Sequence, residues 1–236
     1  MRFSSDQIQK IGKEISSKVD GKTLFDEFSR GRYSTDASVY QIKPLGVVLP
    51  KDTNDVLNLM EYSQKNSIPL LARGGGSSQC GQTVGESVVL DYSKHQNKIL
   101  ELNVEEKYVW VQPGVVLDHL NSFLRPYGLW FPVDVSTSSR ATIGGMSANN
   151  SCGSRSLYYG NMVHNVLAIE AILDDGSLHT FDQINKNYLT TTNNQDRFYK
   201  IIDKFLNLRQ KVSKDIDENW PTTQRRVGGY NIDLID

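Results

Sequence analysis

The residues with the clearest chemical potential lie in one glycine-rich run, Arg73-Gly74-Gly75-Gly76-Ser77-Ser78-Gln79-Cys80-Gly81-Gln82. It directly follows an apolar stretch, Ile68–Ala72. Consecutive glycines let the backbone pass close to a ligand and turn successive N–H groups toward it. Such a nest holds phosphate oxygens without needing a side-chain charge. Ser77, Ser78 and Gln82 offer further donors, and Arg73 at the head of the run belongs to the same candidate site. A lone glycine triplet reads equally well as a mobile turn. The two hydroxyls and the second turn residue, Gly81, favour a ligand loop.

A second segment, Pro132–Gly160, repeats this character. Thr142, Gly144 and Gly145 precede Asn149 and Asn150, and Gly153, Ser154 and Gly160 follow. A stretch this long with few large apolar groups makes no packed face of its own, so it is expected to wrap a ligand. Two common nucleotide loops are excluded. The only Gly-Lys-Thr, at Gly21-Lys22-Thr23, has Ser16 where a phosphate-binding loop needs its first glycine. The dinucleotide fingerprint fails because Gln79 stands where its third glycine belongs. His95, His119, His164 and His179 show no metal-ligand spacing, so no metal site is expected. No Gly-x-Ser-x-Gly elbow occurs, which disfavours a serine hydrolase. Cys80 and Cys152 each lie in a glycine-rich loop and read as unpaired thiols, and Arg225-Arg226 reads as a surface charge pair.

The elements that must position these loops are mixed. Ser4 and Gln7 form a capping box ahead of a helix to Val19, with Ile8, Ile11 and Ile15 at helical spacing. The regions around Gly21 and Gly31 read as connections. Gly46–Leu49 is a strand, Thr53 caps a helix ending near Lys65, and Ile68–Ala72 and Ser87–Leu90 are further strands. Hairpins are predicted for Ile99–Leu102 with Tyr108–Val111 and for Val166–Leu173 with Leu178–Phe181, separated by a helix over Val115–Leu124. Thr142–Asn150 reads as a loop entering a short helix. Phe198, Ile201, Ile202, Phe205 and Leu208 form one apolar helical stripe. Strands and helices do not alternate strictly, so the predicted class is α+β.

Bulk properties set the outer bounds. The chain has 236 residues, 38% hydrophobic and 22% charged, with 26 basic against 27 acidic residues and a net charge of −1. That balance disfavours a nucleic-acid partner. No transmembrane segment is expected, because no run of about 18 apolar residues exists. The N-terminus has no apolar signal core, and two cysteines are too few for a disulfide framework. A cytoplasmic protein is the default, with peripheral membrane association left open.

Taken together, RGGGSSQCGQTVGESVVLDYSK, VQPGVVLDHLN, FPVDVSTSSRATIGGMSANNSCGSRSLYYG and VLAIEAILDDGS resemble one family. It is the FAD-linked oxidoreductases of the vanillyl-alcohol oxidase type, with a PCMH-type FAD-binding domain. The nearest branch is that of D-lactate dehydrogenases, glycolate oxidase subunits and D-2-hydroxyglutarate dehydrogenases. The resemblance runs from about Tyr40 to Phe181, and Gly229-Tyr230-Asn231 echoes a later family motif. It implies a PCMH-type FAD-binding domain of two α+β subdomains, residues 40–92 and 93–236, after an N-terminal helical segment, 1–39. The second subdomain is expected to be incomplete at its C-terminus.

The resemblance also implies roles for particular residues. Gly74, Gly75, Gly76, Ser77, Ser78, Gly81 and Gln82 would hold the pyrophosphate. Pro132, Asp134, Ser136, Thr142, Gly144, Gly145, Asn150, Gly153 and Ser154 would line the flavin and its phosphate arm, and Ile169 would meet the adenine side. Ser77 stands where some relatives carry a histidine that anchors flavin covalently, which implies noncovalent FAD. The implied reaction oxidises a small D-2-hydroxy acid to a 2-oxo acid. Relatives place substrate-binding and catalytic histidines in a cap domain, so no catalytic residue is expected here and this length of chain alone is expected to be inactive. The electron acceptor stays unassigned. The alternative from another class is a non-catalytic flavin or nucleotide module working with a partner subunit.

Overall fold

The computed structural model of the chain describes residues 3–183, 196–223 and 225–235. Helix α1 (Ser5–Ser16) starts at the expected capping box. Ser4 Oγ accepts the Gln7 N–H at 3.3 Å, and Gln7 Oε1 accepts the Ser4 N–H at 2.7 Å. Its buried stripe, Ile8, Ile11 and Ile15, lies against a four-stranded sheet of β1 (Lys22–Leu24), β2 (Gly46–Leu49), β3 (Leu70–Arg73) and β4 (Val88–Asp91). The strand order is β1-β2-β4-β3. β1 runs antiparallel to β2, whereas β4 is parallel to both β2 and β3.

β1 and the short helix α2 (Glu27–Arg32) fall where the sequence suggested only connections. Three residues are too few to show a period. β1 exists because Lys22, Thr23 and Leu24 find partners in Leu49, Val48 and Val47. Helix α3 (Thr53–Asn66) links β2 to β3, and its N-cap is Asp52 rather than Thr53. The Asp52 carboxylate accepts the N–H groups of Asn54 (2.9 Å) and Asp55 (3.2 Å), satisfying donors that no preceding turn can reach. Buried Asp55 in turn accepts the N–H groups of Asp20, Gly21 and Lys51.

The sheet is covered on both faces. Val48, Val88 and Leu90 meet α1 and α3 through Ile8, Ile15, Val56 and Leu59. Val47, Leu49 and Val89 meet Leu24, Tyr33 and Leu71 on the other side. Continuous burial fits the unbroken Val/Leu runs of β2 and β4, as parallel strands require.

Beyond β4 the strands come as two separate antiparallel hairpins, β5 (Ile99–Asn103) with β6 (Tyr108–Val111) and β7 (Ile169–Ile172) with β8 (Leu178–Phe181). Helix α4 (Leu117–Leu124) packs Leu120 and Leu124 onto the first hairpin. Leu117 joins Val133, Ala141, Met146 and Met162 in a second small core. Short helices α5 (Ile143–Ala148), α6 (Ser156–Tyr159) and α7 (Met162–Asn165) punctuate the Ser/Gly/Asn-rich stretch. Ile172 reaches back to the first core. The helix Arg197–Lys211 is tied to the β7–β8 turn by Arg197 on Asp174 and Asp175, and His179 stacks on Phe198 at 4.5 Å. Only the first part of its predicted stripe, Phe198 and Ile202, is buried; Phe205 and Leu208 are exposed.

Candidate functional site

The loop after β3 and the loop around α5 meet. Gly74 backs onto the Thr142 side chain and Gly75 onto the Arg140 carbonyl, so closely that a β-carbon at either would collide. Further along, Gln82 Nε2 donates to Asn149 Oδ1 at 2.8 Å. The glycines are therefore needed for the approach of one loop to the other, which is a different physical reason from approach to a ligand. Gly76 has φ +63° and Gly81 +73°, in the region where L side chains are strained.

Among the described residues, no hydrogen bond uses the N–H of Gly74, Gly75, Gly76, Ser77 or Ser78. A run of five orphaned backbone donors at a loop junction is a fitting receptor for an anion. The Ser78 hydroxyl shapes the loop itself. It donates to Gln82 Oε1 at 2.6 Å and accepts the Cys80 N–H at 3.1 Å. The Arg73 guanidinium lies beside Gly76 of this run, but its donors are engaged elsewhere. It donates to the carbonyls of Thr83 (3.2 Å) and Thr35 (2.9 Å) and lies over the Tyr33 ring. Burial, followed by the Asp91 carboxylate that accepts the Tyr33 hydroxyl at 2.6 Å, pushes that phenol above its ordinary value.

The second loop is organised from beneath. Thr142 is buried and caps α5, its Oγ1 accepting the Gly145 N–H at 3.4 Å. Gly144 packs against Pro113 and gives its N–H to the Pro113 carbonyl at 2.9 Å, whereas Gly145 is exposed. Asp134 accepts the Ser154 hydroxyl at 2.6 Å and the Arg155 N–H at 2.9 Å, and Gly153 lies against the Asp134 backbone. Burial pushes the Asp134 carboxyl up, but the Ser154 and Arg155 donors outweigh it and hold it below the usual carboxylate value. Pro132 is half-buried and Ser136 exposed beside this clamp.

Asn150 is a non-glycine residue with φ +44°, a conformation it tolerates better than most. Its Oδ1 accepts the Val163 N–H at 3.1 Å and its Nδ2 donates to Asn231 Oδ1 at 3.4 Å. Asn150 and Asn231 edge a cleft of about 310 Å³ whose walls include Met162, Val166, Leu167, Ile169 and Phe181. Ile169 thus lies where an aromatic ring could be sandwiched. Met162, Val166 and Phe181 carry no sequence signal beyond that of ordinary core residues. Arg225 and Arg226 are no simple surface pair: Arg225 donates to the Gly153 carbonyl at 3.1 Å, and Arg226 pairs with Asp233 at 2.5 Å over the Trp220 ring.

An amide nest beside an apolar cleft with amide side chains at its rim suits a ligand joining phosphates to flat rings, and FAD has that composition. Among the described residues there is no cluster of His, Cys, Asp or Glu that could hold a metal, and no helix is long and apolar enough to cross a membrane.

The chain is similar to D-2-hydroxyglutarate dehydrogenase of Haemophilus influenzae, 43% identical over 64% of this chain and 15% of that protein. It is 34% identical to D-2-hydroxyglutarate dehydrogenase of Escherichia coli over 90% of this chain and 21% of that protein. The chain thus spans about a fifth or less of the length of these curated relatives. Its fold matches that of a solved alkyldihydroxyacetonephosphate synthase, with a TM-score of 0.64 at 20% identity over 76% of this chain and 35% of that one. Residues 44–182, which contain both loops and Ile169, match the model of the FAD binding domain family, and the chain belongs to that family.

Proposed function

We propose that the chain holds FAD noncovalently, as the flavin-binding part of a dehydrogenase that oxidises a small D-2-hydroxy acid to the 2-oxo acid. The observation that carries the reading is the junction of the two loops, with the unpaired N–H groups of Gly74–Ser78 facing no protein acceptor among the described residues. In this reading those amides, with Gly81 and Gln82, take the pyrophosphate. Asn150 and the cleft walls at Ile169 take the adenine side, while Pro132, Asp134, Ser136, Gly145, Gly153 and Ser154 form the rim along the flavin arm. Thr142 and Gly144 act from below, by fixing where α5 begins. Bound flavin supplies the capacity to accept a hydride equivalent from the carbon bearing the hydroxyl. Ser77 cannot form the histidyl link, which supports noncovalent binding. Among the described residues no histidine lines the cleft, and no catalytic residue is proposed.

Titration of flavin-free chain with FAD is expected to quench flavin fluorescence saturably, and acid precipitation to return all flavin to the supernatant. Flavin remaining on the precipitated protein would refute the noncovalent mode. Gly75→Asp, which forces a side chain against the Arg140 carbonyl, should abolish uptake. Unchanged affinity in that variant would refute the placement of the pyrophosphate. Dye reduction by the intact protein with D-2-hydroxyglutarate or D-lactate, and not with the L-isomers, checks the substrate class.

A further inference from the structure

We propose that Arg73 is a positioning residue that holds the glycine loop from behind, together with a strap formed by residues 33–41. This rests on the assignment of the pyrophosphate to that loop. The strap precedes the family match, which begins at residue 44, yet its Tyr33, Thr35, Asp36 and Tyr40 all reach the loop or the strand ends below it.

Arg73 forks between two carbonyls 48 positions apart, Thr35 on the strap and Thr83 at the far end of the loop. The same guanidinium lies against the backbone of Gly76, the loop residue with positive φ. Its face is closed by the Tyr33 ring, with Cζ 5.2 Å from the ring centroid. Tyr33 is itself pinned through its hydroxyl to Asp91, at the end of the strand beside β3. Asp36 takes the Thr83 hydroxyl at 3.1 Å and the Thr83 N–H at 3.5 Å, and the Tyr40 ring covers Gly81.

Among the described residues the N–H groups of Gly74–Ser78 are unpaired, so no backbone hydrogen bond of its own fixes the glycine triplet. A chain of three glycines loses much freedom when ordered. The strap removes that freedom in advance, leaving the amides converged before a ligand arrives. The planar fork matters because only a guanidinium can serve both carbonyls and stack on Tyr33 at once. A direct charge–phosphate contact, by contrast, is a service that lysine can also perform.

The test compares Arg73→Met and Arg73→Lys with Tyr40→Ala and Tyr40→Phe. FAD affinity is read by fluorescence titration, and nitrogen relaxation of labelled glycines is read in flavin-free chain. If the competent loop conformation falls to about a tenth of the population, Kd for FAD rises about tenfold in Arg73→Met. Arg73→Lys should stay close to Arg73→Met. Order parameters of Gly74–Gly76 should fall from about 0.85 to below about 0.6 in both. Tyr40 is exposed, so Tyr40→Ala leaves the fold intact; it should weaken FAD, and Tyr40→Phe should restore it.

Full recovery in Arg73→Lys would overturn the proposal in favour of a direct charge contact. So would unchanged glycine order parameters in Arg73→Met, or wild-type affinity in Tyr40→Ala. The relaxation measurement needs no flavin. It therefore decides the brace even if wild-type chain fails to take up FAD, which would count against the proposed function instead.

Discussion

The strands of the first sheet and those of the later hairpins are made from similar residues, yet they are buried to very different degrees. Every residue of β2 and β4 is buried, whereas none of β5, β6, β7 or β8 is fully buried. The first region is closed by helices on one face and by Leu24, Tyr33 and Leu71 on the other. The first of the later hairpins packs on α4, and the second meets the first core through Ile172 on one face and Phe198 through His179 and Phe181 on the other, yet neither is enclosed as the first sheet is. Valine and isoleucine content thus says that a strand forms, while its partners decide how much stability it contributes. The candidate site lies across this divide, with one loop hung from β3 in the dense region and the other carried by α5 in the looser one.

The sharpest way to break the comparison is to place the same charge in both regions. Val88→Asp buries an unpaired carboxylate between α1, α3 and the sheet, and should cost about 4 kcal/mol or more, enough to unfold the chain. Val109→Asp on half-buried β6 should cost less than half of that by urea unfolding, and equal losses would erase the distinction. Leu59→Ala, with its side chain 1% exposed, should cost about 3 kcal/mol through the cavity left behind.

Smaller effects sharpen the picture within the looser region. Asn150→Ala removes the acceptor for Val163 N–H and the side chain that suits positive φ, at a cost of about 1–2 kcal/mol. Asn150→Gly should recover the backbone part only. Asp134, whose folded carboxyl is held below its ordinary value, favours the folded loop fully above the unfolded carboxylate pKa, about 3.9. That contribution is lost as pH falls through the lower folded value. Proteolysis of the 132–155 loop should therefore accelerate only in strong acid, and Asp134→Asn should abolish that acid dependence. Smallest of all, Leu178→Thr on an exposed position of β8 should shift stability by no more than about 0.5 kcal/mol.

Much of this was legible in the sequence wherever the signal is local. The Ser4–Gln7 capping box, the β2–α3–β3 unit and both hairpins follow from spacing within a few residues. The two candidate loops stood out by composition, since glycine, serine and asparagine leave backbone exposed. What stayed hidden depends on partners far along the chain. β1 is too short to announce itself and forms only through β2. Arg73 looked like a ligand residue, and nothing local indicates that it serves Thr35 and Thr83. Composition marks Gly74 and Gly75 for close backbone approach, but not the approach of Thr142 and Arg140 from the other loop, which also requires glycine there. Met162 and Phe181 line the cleft with side chains that any core would use.

The half-buried β7–β8 hairpin has a further consequence for handling the molecule. Leu167, Ile169 and Leu178 are exposed beside it, and the hairpin pairs with no third strand among the described residues. Open strand edges flanked by aliphatic side chains are templates for other copies of themselves. Concentrated solutions of this chain should therefore turn cloudy over time, sooner at high salt. A lysine at position 169 or 178 should keep them clear without altering the first sheet.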